Sequence, residues 1–80
     1  MTEAEVRQRL RAFILDEIIR DDLDIADDEG IITGGLMDSL SLVRVQVFIE
    51  EAFGVVIPDP QMTVATMDTL DQMVARIMKG

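Results

Sequence analysis

Ser39 is the hydroxyl in this sequence best placed to do chemistry. It stands in the run Gly34-Gly35-Leu36-Met37-Asp38-Ser39-Leu40, where a glycine pair frees the backbone and Asp38 can cap a helix that begins at Ser39. The unpaired N–H groups and positive dipole end of a first turn favour an anion, so a phosphodiester on Ser39 would be stabilised there. A serine after an aspartate cap is also, by itself, an ordinary first-turn residue. Its meaning depends on the rest of the chain.

Few other groups could react. The 80 residues include no histidine and no cysteine, which excludes Ser-His-Asp and Cys-His nucleophiles, thiolate chemistry, disulfides and the usual zinc or iron ligand sets. Carboxylates and hydroxyls remain. Seven acids crowd residues 21–38 and suggest a calcium loop, but the register rejects it. A loop starting at Asp22 puts Ala26 at the fifth position, Asp27 where a sharp-turn glycine belongs and Thr33 where a bidentate glutamate belongs. Starting at Asp24 puts Glu29 in the glycine position. No dedicated metal site is expected, only weak adventitious divalent binding.

Sixteen acids against seven bases give a net charge of −9, which excludes nucleic-acid binding through phosphate neutralisation and favours a basic protein partner. A hydrophobic content of 49% is too high for a disordered acidic tail. No apolar run approaches the roughly 20 residues of a membrane span and no signal segment opens the chain, so a cytoplasmic, monomeric protein of one domain, residues 1–80, is expected. Eight of the sixteen acids fall within residues 16–29, and only Glu50 and Glu51 lie in the helix that follows Ser39.

The elements that must position Ser39 are helical. Val6, Leu10, Phe13, Ile14 and Ile18 form one stripe and predict an amphipathic helix over 3–20. Thr2 and Glu5 supply a capping box, and Glu3–Arg7, Glu5–Arg9 and Asp16–Arg20 are i,i+4 pairs. Residues 21–38 lose periodicity, and Leu23, Ile25, Ile31, Ile32 and Leu36 are the expected anchors of this long loop. A second helix is expected from Ser39 to Phe53, stopped by Gly54. It is apolar nearly all round, so some of Leu42, Val45, Val47 and Phe48 are expected to face solvent, unless the other helices and the loop absorb them all. Val55-Val56-Ile57 has strand propensity but no partner strand, and reads as an extended linker. Pro58 and Pro60 turn the chain. A short helical turn over 60–64 and a last helix over 69–78, capped by Asp68 or Thr69, complete the reading.

Gly-Leu-Met-Asp38-Ser39-Leu40, the helix ending Ile49-Glu50-Glu51-Ala52-Phe53-Gly54, the turn Val56-Ile57-Pro58-Asp59 and the final Thr66-Met67-Asp68-Thr69-Leu70 together resemble the acyl carrier protein family over the whole chain. The resemblance implies an all-α bundle of three main helices plus one short helix, with a long loop between helices one and two. It implies a non-enzymatic carrier whose Ser39 bears a 4′-phosphopantetheine, taken from coenzyme A by a phosphopantetheinyl transferase. The borrowed thiol would hold an acyl or aminoacyl group as a thioester, which accounts for the missing cysteine. Asp38 is implied as cap and as a metal or transferase contact during loading, and Leu40 as a contact for the transferase's apolar groove.

Partner enzymes would include a loading ligase or synthetase and a downstream acyltransferase or synthase. They would meet the second helix through Leu42, Arg44, Val47, Phe48, Glu50 and Glu51 in charge-steered, transient contacts. Ser41 and Arg44 stand where fatty-acid-synthesis carriers are often acidic, and Leu42, Val45 and Val47 would make the surface more apolar. These departures favour a discrete carrier for a dedicated polyketide, nonribosomal-peptide or aminoacyl pathway over fatty acid synthesis. The rival reading is an unmodified acidic adaptor that offers the second helix to a basic protein.

Overall fold

The computed structural model describes all 80 residues, and the backbone is helical with no strand. α1 spans Glu3–Phe13 and continues without a break as a π-helical segment, Ile14–Ile19. A single 3₁₀ turn, Ser39–Ser41, leads into α2, Leu42–Phe53. A second 3₁₀ turn, Asp59–Gln61, precedes the one-turn α3, Val64–Met67, and α4, Leu70–Lys79. The short helix thus lies later than expected, and the proline turn is 3₁₀. No helix is long and apolar enough to cross a membrane.

Local chemistry accounts for the helix ends. Thr2 Oγ1 accepts the Glu5 N–H at 3.2 Å. The Glu5 carboxylate takes the Thr2 hydroxyl in return, at 3.1 Å, rather than completing the box on the backbone. Thr69 caps α4 with a full capping box to Gln72, while Asp68 turns its carboxylate elsewhere. Gly54 ends α2 at φ 69°, where a side chain would be strained. Arg20 closes the π segment in the left-handed region at φ 57°, its N–H reaching the Leu15 carbonyl at 2.8 Å. This wider turn lets Ile14, Leu15, Ile18 and Ile19 all pack on the core.

Fifteen buried side chains, all apolar, form one cluster. α1 contributes Val6 and Leu10, and α4 contributes Leu70, Met73, Val74 and Ile77; the two helices pack against each other. The long loop is part of this core. Ile25, Ile31 and Met37 are buried, and Leu23, Ile32 and Leu36 pack against them. Met37 joins the five anchors expected from the sequence.

The loop is also tied electrostatically. Arg7 bonds Asp71 of α4 at 2.6 Å and Glu3 at 2.9 Å, and lies 3.4 Å from Asp27, contacts that raise its already high pKa. Arg11 bonds Asp27. Of the three i,i+4 pairs expected on the first helix only Glu3–Arg7 forms. Arg7 and Arg11 reach into the loop, and Arg7 also to α4.

Candidate functional site

Ser39 opens the turn that starts the second helix, as the sequence leads one to expect. Asp38 is the cap, with extended backbone at φ −90° and ψ 166°. Its Oδ1 accepts the Ser41 N–H at 2.9 Å and the Ser41 hydroxyl at 3.0 Å. The cap therefore holds Ser41, not Ser39, and leaves the Ser39 hydroxyl exposed and free of the carboxylate. Ser41 thereby ties the first turn of the helix back to its cap.

The two glycines ahead of the motif serve different ends. Gly35 sits at φ +83° with open space around it, so its need is conformational. At Gly34 a Cβ would collide with the Gly30 carbonyl, so its need is close approach. The chain between them and Ser39 is fastened by Met37, 5% exposed.

The geometry suits a phosphodiester-linked arm. Ser39 is an exposed hydroxyl on the first turn of a helix, where backbone N–H groups favour an anion. Leu40, 79% exposed, stands beside it. Three or more acidic groups converge nowhere in the structure in a way that could hold a cation; Asp24 and Asp27 face Arg11, and Asp27 also faces Arg7.

α2 divides sharply between core and solvent. Leu42 and Val45, both considered for the exposed surface, are 4% and 0% exposed and belong to the core with Ile49. Their spacing of three and four residues selects one inward face, which corrects the assignment of Leu42 as a partner contact. The apolar residues left outside are Leu40, Val43 at 62% and Val47 at 47% exposed. Val43 was not singled out in the sequence, because the second helix is apolar on every side. Glu50 and Glu51 are exposed as expected.

Phe48 is half-buried. It stacks on Phe13 of α1 with centroids 4.2 Å apart and meets Phe53 edge-on at 5.7 Å. Arg44 is exposed, yet its Nη1 donates to the Glu17 carbonyl at 3.0 Å, one of the carbonyls left open at the end of the π segment. It therefore fastens α2 to α1 whatever else it contacts. Gln46 is a further clamp the sequence does not announce: its Nε2 donates to the Ile57 carbonyl at 2.7 Å and to Asp59 Oδ1 at 2.8 Å, fixing the Ile-Pro-Asp turn to α2.

Comparison with known proteins bears on this geometry. The phosphopantetheine attachment site family matches residues 8–77, which takes in every buried core residue but Val6. A D-alanyl carrier protein of Abiotrophia defectiva is 36% identical over 78 residues, 96% of this chain and 92% of that protein. A D-alanyl carrier protein of Lactobacillus helveticus (strain DPC 4571) is 33% identical over 64 residues, 80% of this chain and 81% of that protein. With its helical bundle and a free serine hydroxyl at a capped helix start, the chain belongs to the phosphopantetheine-dependent carrier proteins, non-catalytic domains whose prosthetic group is 4′-phosphopantetheine.

Proposed function

We propose that residues 1–80 form one carrier domain with the phosphopantetheine on Ser39 and an aminoacyl group, D-alanyl first among the candidates, as its cargo. The observation that carries the attachment site is the exposed Ser39 hydroxyl, left free because Asp38 caps through Ser41. The bound arm supplies a thiol on which the cargo is held as a thioester. Asp38 and Leu40 flank the serine and would meet the transferase. The names of two similar proteins, both D-alanyl carriers, support a small aminoacyl cargo over a fatty acyl or polyketide chain.

Loading would require a transferase, an ATP-dependent ligase for the amino acid and a downstream acyltransferase, acting in the cytoplasm where coenzyme A and ATP are at hand. Leu40, Val43 and Val47 offer apolar contact, and Glu50 and Glu51 offer charge to a basic partner. Phe48 lies at the edge of that face, and Arg44 can discriminate partners only from its place against Glu17.

Intact mass after incubation with coenzyme A and a broad-specificity transferase should show one phosphopantetheine on wild type and none on Ser39→Ala. The loaded protein, given ATP and a D-alanine-activating ligase, should then gain one alanyl group that hydroxylamine removes. Wild type left unmodified by several transferases would sink the attachment site and favour the adaptor reading, in which partner binding survives Ser39→Ala. Loading by a long-chain acyl ligase in preference to the alanyl ligase would sink the cargo assignment alone.

A further inference from the structure

Asp68 lies between α3 and α4, and three consecutive residues of the long loop are bound to it. Its Oδ1 accepts the N–H of Ile32 at 2.8 Å and of Thr33 at 3.0 Å. Its Oδ2 accepts the Thr33 hydroxyl at 2.7 Å, and its own carbonyl accepts the Ile31 N–H at 2.8 Å. The carboxylate is held below its ordinary pKa, chiefly by the Thr33 hydroxyl.

From this clasp a chain of bonds leads to the serine. The Ile31 carbonyl accepts the N–H of Leu36 at 3.0 Å and of Met37 at 3.2 Å, and Gly34 and Gly35 donate to the carbonyls of Gly30 and Ile32 at 2.9 and 3.0 Å. Met37 is buried, Asp38 caps, and Ser39 follows. A Cβ on Gly30 would strike Thr33 Oγ1 and come within 2.8 Å of Asp68 Oδ2, so the clasp closes only over glycine. Ile25 and Ile31 also hold the loop to the core, but apolar burial has no direction. The hydrogen bonds set which way the turn before Ser39 points.

We propose that Asp68, by clasping residues 31–33 of the loop, is a positioning residue for the loading of Ser39. The proposal rests on Ser39 being the attachment site. A loop released from Asp68 displays the serine in the competent place only part of the time, and apparent affinity for the transferase falls by that fraction. Once bound, the chemistry is unchanged. The expected signature is a raised KM with kcat retained.

The test uses the full chain with three substitutions, read by amide hydrogen exchange and by steady-state transfer from coenzyme A. In Asp68→Ala the amides of Ile32, Thr33, Leu36 and Met37 should exchange at least about tenfold faster while those of α1 and α4 keep wild-type rates. The transferase KM for this variant should rise about three- to tenfold with kcat within about twofold. Thr33→Val, an exposed position that leaves the core intact, should shift both readouts in the same direction by less. Asp68→Asn should restore most of both, because its Oδ1 still accepts the two N–H groups and its amide can donate to the Thr33 hydroxyl.

Loop amides at wild-type rates in Asp68→Ala and Thr33→Val, a uniform acceleration over all helices in both, or an unchanged KM with a loosened loop would each overturn the proposal. A wild type that accepts no phosphopantetheine would remove the attachment reading, and with it the role of Asp68, while the exchange pattern would still report whether the clasp exists.

Discussion

Replacing Phe48 by alanine separates residues that hold the bundle together from neighbours that face a partner. The Phe48 ring lies nearly parallel to Phe13, centroids 4.2 Å apart and planes inclined by 10°, and meets Phe53 at 88°. A fully buried phenylalanine costs about 3–5 kcal/mol on truncation. Phe48 is half-buried, so about 2–3 kcal/mol is expected, including about 0.5–1.5 kcal/mol for the stack on Phe13. In a domain of this size each kcal/mol moves the thermal midpoint by about 4–8 °C, so Phe48→Ala should lower it by about 10–20 °C.

The adjacent Val47, 47% exposed, should lose under about 0.5 kcal/mol as alanine, a shift of a few degrees. Val47→Ala should instead slow loading by the partner ligase at a temperature where both proteins are folded. Thermal unfolding followed by circular dichroism ranks the two variants, and a double-mutant cycle with Phe13→Ala isolates the ring pair. A Phe48→Ala midpoint within about 4 °C of wild type, or a coupling energy of zero in the cycle, would refute the reasoning, because the stacked pair would then contribute nothing to joining α1 and α2.

Arg44→Glu removes the bond to the Glu17 carbonyl and sets a carboxylate against the open carbonyls at the end of the π segment; a loss of about 1 kcal/mol, or about 4–8 °C in the midpoint, is expected. An unchanged midpoint would reduce Arg44 to a solvated side chain. Asp68 titrates below its ordinary value of 3.8. Because its folded pKa is depressed, the stabilisation it provides is complete above that ordinary value and fades as pH falls through the folded one. The difference in unfolding free energy between wild type and Asp68→Ala should therefore be flat from about pH 7 to pH 5 and shrink below about pH 4. A difference that widens in acid would contradict the geometry at Thr33.

Much of this protein could be read along the chain because its signals are local. The caps at Thr2, Asp38 and Thr69 and the stop at Gly54 act within a turn of where they stand. Of the stripe Leu70, Met73, Val74, Ile77 and Met78, the first four bury where their spacing says they must, and Met78, near the end of the chain, stays in solvent. The placement of Ser39 at a capped helix start was legible for the same reason, since its cap, its glycines and its helix are contiguous. The inward face of α2 was not. A helix apolar on all sides has no polar stripe to mark the outside, and only packing against its neighbours chose Leu42 and Val45 for the core and left Val43 and Val47 in solvent.

The π turn after Phe13 likewise has no breaker residue to announce it. The ties that steady the site are of the same kind. Asp68 to Thr33 spans 35 residues, and Arg11 to Asp27 spans 16, without any period or motif joining them. Sequence alone determined which residue could carry the arm and the helices that frame it, because capping and amphipathic periodicity are short-range. Which face meets a partner, and what holds the serine in place, were decided by the tertiary structure, because those contacts arise only when distant segments are brought together.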